Sequence, residues 1–322
     1  MNQEKFNDIV SLFMEEKDQH GHLLNMDYLL IQKQDQIFIH NFNEDELPSD
    51  IRSISKTVMT IILGVVIRLS HEGKYSKINE ETYIYPIIKD VIQLENKENE
   101  APLKEVKIKH LLTHTVGYDD VLLMRDDIAH MDPFEYLNYI VNHPIVYEPG
   151  EYYLYSNAGF YLLSVVLQEF LQEDLLDFIK RELFDPLDIK NFKWEKYGDY
   201  IAGATRLWLF PEDLLKFGNL FLRNGKVNGK SFISKKWIQK MLTINHYTDS
   251  VDDPNALFRR HAYGYGIWLA KESLYFGHGT DGQTLTIIPD KETVIITLAK
   301  QPDMKPIERL INHIVTHEIG CI

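Results

Sequence analysis

Ser53-Ile54-Ser55-Lys56 sets a hydroxyl and an amine three positions apart, on one face of a helix if a helix begins there. A serine hydroxyl is a weak nucleophile until a base takes its proton. A lysine can be that base only when burial or a neighbouring cation draws its pKa down from about 10.4. The apolar run from Val58 to Ile67, directly after Lys56, supplies such burial. A chain with this many serines and lysines contains a Ser-x-x-Lys by chance, so the spacing takes its weight from what accompanies it. Tyr155-Ser156-Asn157 is one companion, placing a phenol, a hydroxyl and an amide in a loop after the turn Glu148-Pro149-Gly150. A phenolate there is a candidate general base beside a lysine cation. Gly277-His278-Gly279-Thr280-Asp281-Gly282-Gln283 is the other companion. Its small residues let backbone approach a ligand and its N–H groups could hold an oxyanion, although a glycine-rich hairpin turn reads the same way.

These residues need elements to hold them. Phe6, Ile9, Val10 and Phe13 repeat at helical spacing, so an amphipathic helix opens the chain. Tyr28–Ile31 and Ile37–Ile39 flank a polar turn and read as a hairpin. From Ser53 to about residue 250 the patterns are mostly helical, as in Thr57–His71, Pro133–Asn142, Phe160–Glu173 and Glu212–Arg223. Strand character returns in Gly266–Leu269, Thr284–Ile288 and Thr293–Leu298, and a helix over Met304–His317 closes the pattern. This order predicts an α/β (α+β) architecture, with an antiparallel sheet flanked by helices, built from both termini, and an all-α domain inserted. The expected boundaries are residues 1–56 plus 255–322 for the α/β domain and 57–254 for the mostly helical one. The junction of two such domains is a favoured place for a pocket.

Composition narrows the partners. With 34 basic against 48 acidic residues, a net charge of −14, an electrostatic grip on nucleic acid or an anionic membrane is not expected. The single cysteine, Cys321, permits neither an internal disulfide nor a cysteine zinc site. The polar N-terminus lacks a basic segment followed by an apolar run, so the expectation is a cytoplasmic protein, and the Val58–Ile67 run is too short to span a bilayer. His110 and His114 have the i, i+4 spacing of a helical metal pair, but Leu111 stands where His-Glu-x-x-His needs glutamate. They are read as loop-pinning histidines. No metal or cofactor is expected.

Together the three motifs resemble those of the serine β-lactamase and penicillin-binding-protein superfamily, in particular its class C and esterase-like branch. Ser53-Ile54-Ser55-Lys56 is similar to the family's Ser-x-x-Lys, Tyr155-Ser156-Asn157 to its Tyr-x-Asn, and His278-Gly279-Thr280 to its Lys-Thr-Gly or His-x-Gly. His110-Leu111-Leu112-Thr113-His114-Thr115-Val116-Gly117 extends the likeness. The resemblance implies acyl transfer to Ser53, with Lys56 and Tyr155 exchanging the proton, Asn157 orienting Lys56 or the substrate, and His278 adding a donor. It places the oxyanion between the backbone N–H groups of Ser53 and of Asp281, in the strand after His278. Gly279, Thr280, Tyr118, Trp208, Phe210 and Tyr265 are candidate substrate contacts. Thr280 where the family carries glycine, and histidine where it carries lysine, count against an efficient β-lactamase, and the missing lysine, with the acidic net charge, favours a small neutral ester or amide over a strongly anionic substrate. The reading is therefore a serine hydrolase of esterase or amidase type. The alternatives are a DD-peptidase or weak class C-like β-lactamase, and a non-catalytic ligand-binding member of the fold.

Overall fold

The computed structural model describes residues 1–248 and 256–320, so Cys321 lies outside the described residues. In chain order the elements that matter here begin with helix α1 (Gln3–Glu15), strands β1 (Met26–Lys33), β2 (Gln36–Asn41) and β3 (Ser49–Asp50), and helices α2 (Ser55–His71) and α3 (Ala158–Leu171). They continue with β4 (Leu207–Leu209), α4 (Pro211–Leu222), β5 (His246–Tyr247), β6 (Ala262–Tyr263), β7 (Trp268–Leu269), β8 (Tyr275–Gly279), β9 (Gln283–Ile288), β10 (Thr293–Ala299) and α5 (Lys305–His313).

The fold is mixed α/β, with an antiparallel sheet flanked by helices, and the chain divides into two compact units. One holds Met1–Ile54, Asn191–Lys193 and Leu207–Ile322, and the other holds Ser55–Lys190 and Trp194–Arg206. The chain thus returns to the sheet-bearing unit briefly at residues 191–193 and then from residue 207 onward, not at 255 as the hydrophobic patterning suggested. Two short elements explain the difference. β4 pairs with β3, Ser49 opposite Leu209 and Asp50 opposite Trp208, and α4 packs its apolar face on β9, β10 and β1. Gly218 lets α4 approach the sheet closely, since a Cβ there would lie 2.9 Å from a methyl of Val294.

The first unit is built on an eight-stranded sheet in the order β5-β6-β7-β8-β9-β10-β1-β2. β1 and β10 lie inside it, so their residues are buried almost throughout rather than alternating. The β1–β2 turn is only Gln34 and Asp35, with Gln34 at φ 55, the positive φ that tight hairpins favour. Residues directly opposite on antiparallel strands share a face. On one face the Gln32 side chain exchanges hydrogen bonds with Asn219 of α4, and Val294 and Leu285 meet Gly218. Gly277, opposite Leu285, belongs to this α4 face, as does Gly279 by alternation. The other face carries α1, whose Phe6 ring meets Phe38 of β2, and α5. α1 starts where Asn2 accepts a hydrogen bond from the Lys5 amide, and its Phe6, Ile9, Val10 and Phe13 are buried as their spacing requires.

The second unit is mainly helical. A 3-10 turn, Arg52–Ile54, runs directly into α2, giving a continuous 20-residue helical run with the length and composition of a membrane span, twice the expected apolar stretch. It is the core helix of this unit. Val58, Ile61, Ile62, Val65, Val66 and Leu69 are fully buried, and α2 packs against α3.

Candidate active site

Lys56 sits in the first turn of α2 and is completely buried. Its ammonium donates to Asn157 Oδ1 at 2.7 Å and to the Ala204 carbonyl at 3.2 Å, both uncharged acceptors. Burial draws its pKa down from the ordinary lysine value to about 7, which puts a neutral amine within reach at physiological pH. Ser53, three residues earlier in the same helical run, is only partly buried.

The Tyr-x-Asn segment delivers two of its residues to this lysine. The Tyr155 ring centroid lies 4.9 Å from Lys56 Nζ, and the Asn157 amide makes the hydrogen bond already described. Asn157 is held from its other end, its Nδ2 donating to the Leu123 carbonyl at 2.8 Å. Ser156 locks the loop: its hydroxyl donates to the Leu122 carbonyl and accepts from the Leu122 and Ala158 amides. The His114 ring packs 4.4 Å from Tyr155, and its Nδ1 accepts from the Ser156 amide at 3.4 Å. His110 Nδ1 accepts from the Lys107 amide, with its pKa pushed down to about 4, chiefly by burial. His114 thus pins the Tyr155–Asn157 loop, whereas His110 bonds back to Lys107 at the start of its own short helix. The Ala204 carbonyl is a contributor that the motif reading missed, since a backbone carbonyl leaves no sequence signal; His114, read from the sequence as a loop-pinning residue, also packs on Tyr155.

The third motif is arranged differently from the expectation. His278 and Gly279 are neighbours in β8, so their side-chain directions oppose each other. A Cβ on Gly279 would lie 2.7 Å from Arg52 Cβ and 2.8 Å from the Ile51 carbonyl, so Gly279 faces the turn that carries Ser53. His278 faces the α5 side, where its Nε2 lies 3.0 Å from Glu308 Oε1. The donor expected of His278 therefore points away from the Ser53 turn. With Phe276 it lines a cavity of about 700 Å³ together with Phe258, Arg259, Arg260, Lys305, Glu308 and Arg309. β8 also ends at Gly279, so Asp281 lies not in the strand but in the Thr280–Gly282 turn, at φ 66 and ψ 20, and Thr280 is exposed.

The remaining candidates scatter. Tyr118 is core: its hydroxyl donates to the Ile140 carbonyl at 2.7 Å and burial raises its pKa. Trp208 is half-buried on β4 with Lys193 Nζ 5.9 Å from its ring, and its Nε1 is a buried donor with no acceptor among the described residues. Phe210 caps the start of α4, and Tyr265 packs on Trp237 at 5.9 Å.

The mixed α/β fold that carries this lysine and its Tyr-x-Asn loop is one that known proteins share. The beta-lactamase family model matches residues 40–315, and the chain belongs to that family, whose members are hydrolases of this fold. Penicillin-binding protein 4* of Bacillus subtilis (strain 168) is 34% identical over 96 residues, which cover 26% of this chain and 20% of that protein. The match therefore spans about a fifth of the relative's length. Among solved structures, a penicillin binding protein from Bacillus halodurans superposes with a TM-score of 0.67 at 19% identity, covering 90% of this chain and 97% of that one. Simvastatin synthase (LovD) from Aspergillus terreus superposes with a TM-score of 0.68 at 15% identity, covering 95% of each chain.

Proposed function

We propose that the protein is a serine hydrolase that forms an acyl-enzyme on Ser53 and releases it to water, acting on small esters or amides. The observation that carries this reading is the Lys56 amine, buried between two neutral acceptors with its pKa near 7. Neutral Lys56 takes the Ser53 proton, directly or through Tyr155, as Ser53 Oγ bonds to the substrate carbonyl carbon. The carbonyl electron pair moves onto oxygen, where backbone N–H groups of Ser53 and of the Thr280–Gly282 turn receive it. Collapse expels the alkoxide or amine, which takes the proton held by Lys56 and Tyr155. Water then repeats the sequence, its proton passing to the same base, its oxygen forming the acid and Ser53 regaining its hydrogen. Asn157 keeps Lys56 in place through both halves.

Release of an alcohol from a p-nitrophenyl ester by the purified protein, lost in Ser53→Ala, is the test. The local likeness to a penicillin-binding protein favours a second reading, a DD-peptidase or weak β-lactamase using the same residues. A fluorescent penicillin separates the two: labelling of Ser53 by penicillin and fluorophosphonate supports the second, labelling by fluorophosphonate alone the first.

A further inference from the structure

Arg52 stands immediately before Ser53 in a left-handed conformation, φ 51, that a non-glycine residue adopts only when its surroundings impose it. Two carboxylates hold it there, Asp50 at the backbone and both Asp50 and Asp281 at the guanidinium. The Arg52 amide donates to Asp50 Oδ1 at 2.9 Å and its Nη1 to Asp50 Oδ2 at 2.9 Å, while its Nη2 lies 3.0 Å from Asp281 Oδ2. Asp50 is anchored in β3 by pairing with Trp208, and the Ile51 amide donates to the Leu207 carbonyl at 2.8 Å. Asp281 is itself left-handed, at φ 66, in the tight turn between β8 and β9, and its carbonyl accepts from the Gln301 amide at 3.0 Å. The guanidinium therefore ties the residue before Ser53 to the turn after Gly279 through a planar, rigid fork that lysine cannot reproduce.

We propose that Arg52 is a positioning residue for acyl transfer: by bridging Asp50 and Asp281 it fixes the spacing between the Ser53 N–H and the N–H groups of the Thr280–Gly282 turn, which together receive the oxyanion. This rests on the acyl-enzyme reading above. Donors on two separate chain segments work as a pair only if their separation matches the oxygen of the tetrahedral intermediate, and a misplacement of about 1 Å in such a site costs on the order of 10²-fold in rate. The close approach of Gly279 to Arg52 Cβ serves the same end from the backbone side.

The test uses the full chain carrying Arg52→Gln, Arg52→Lys, Asp281→Asn and the Gln/Asn double substitution. Asparagine tolerates left-handed backbone, so Asp281→Asn removes the charge without adding strain and stands in if Arg52→Gln does not fold. Hydrolysis of p-nitrophenyl butyrate, the labelling rate of Ser53 by a fluorophosphonate, and thermal unfolding are measured for each. Arg52→Gln and Asp281→Asn are each expected to lower kcat and the labelling rate about 10²-fold with KM within about threefold, the double variant to be no worse than the poorer of these two, and Arg52→Lys to recover part of the loss. Labelling of Arg52→Gln or Asp281→Asn at the wild-type rate overturns the positioning role and leaves the acyl-enzyme reading standing. Additive losses that follow thermal stability, with no split between kcat and KM, also overturn it, because they describe a structural ion pair. Wild-type protein that is not labelled at Ser53 removes the acyl-enzyme reading and this inference with it.

Discussion

Lys56 Nζ and Asn157 Oδ1 lie 2.7 Å apart although 101 residues separate them in the chain. Asn157 offers an acceptor without a charge, so it orients the amine while leaving burial free to lower its pKa. A carboxylate at the same place would hold the proton on the lysine and so oppose the base role proposed for it.

The first expectation is that substitution. Asn157→Asp places a negative charge against Lys56 and raises the lysine pKa, moving the acid limb of the rate profile toward alkaline pH by one unit or more, about the effect of a close opposite charge. Profiles of kcat/KM against pH for wild type and variant measure it. An unmoved limb in the variant contradicts the base role of Lys56.

In the wild type, the same limb should fall at the lysine's lowered pKa. Activity is expected to drop about tenfold per pH unit below about 7 and to level off above it, because only the neutral amine accepts the Ser53 proton. Lys56→Met is expected to lose at least about 10²-fold in kcat across the range.

Stability carries the opposite side of this linkage. With the folded pKa near 7 and the unfolded value at 10.5, the unfolded chain binds a proton between those limits that the folded chain has released. Native stability therefore rises with pH across that window, by up to about 1.4 kcal/mol per unit, and the contribution is lost as pH falls toward 7. Lys56→Met lacks it. Urea unfolding near pH 7 and near pH 9 is expected to show the wild type gaining on the variant by on the order of 2 kcal/mol. Parallel pH dependence in the two proteins would contradict the buried-amine assignment.

His278 gives an expectation of the reverse kind. Because its ring turns toward Glu308 on the α5 face, His278→Asn is expected to leave kcat for a small neutral ester within about fivefold, far from the 10²-fold or greater loss of a catalytic donor. Steady-state kinetics on a p-nitrophenyl ester decide it. A loss near 10²-fold would restore the histidine to the catalytic group.

How much of this was legible in the sequence depends on the residue. Ser53, Lys56, Tyr155 and Asn157 were legible as candidates only because their motifs occur together, and the structure brings Tyr155 and Asn157 to Lys56. The facing of His278 was not, since side-chain direction in a strand has period two and a shift of one residue reverses it. The pairing of Gly277 with Leu285 settles that parity, as do the contacts of Gly279 with Arg52 and of His278 with Glu308. The return to the sheet-bearing unit at residue 207 was hidden because β3 and β4 are two and three residues long, too short to show a period, while α4 continues the helical pattern before it. The cavity beside His278 was hidden as well. Arg259, Arg260, Lys305 and Arg309 gather there from two distant segments, a local basic lining that a net charge of −14 conceals.

The central claim is a covalent bond at Ser53, and its most direct measurement is peptide mass spectrometry of the whole protein after treatment with a fluorophosphonate. The expected result is a single adduct on the peptide containing Ser53, abolished in Ser53→Ala together with ester hydrolysis. An adduct at another residue, or full hydrolysis by Ser53→Ala, would contradict it.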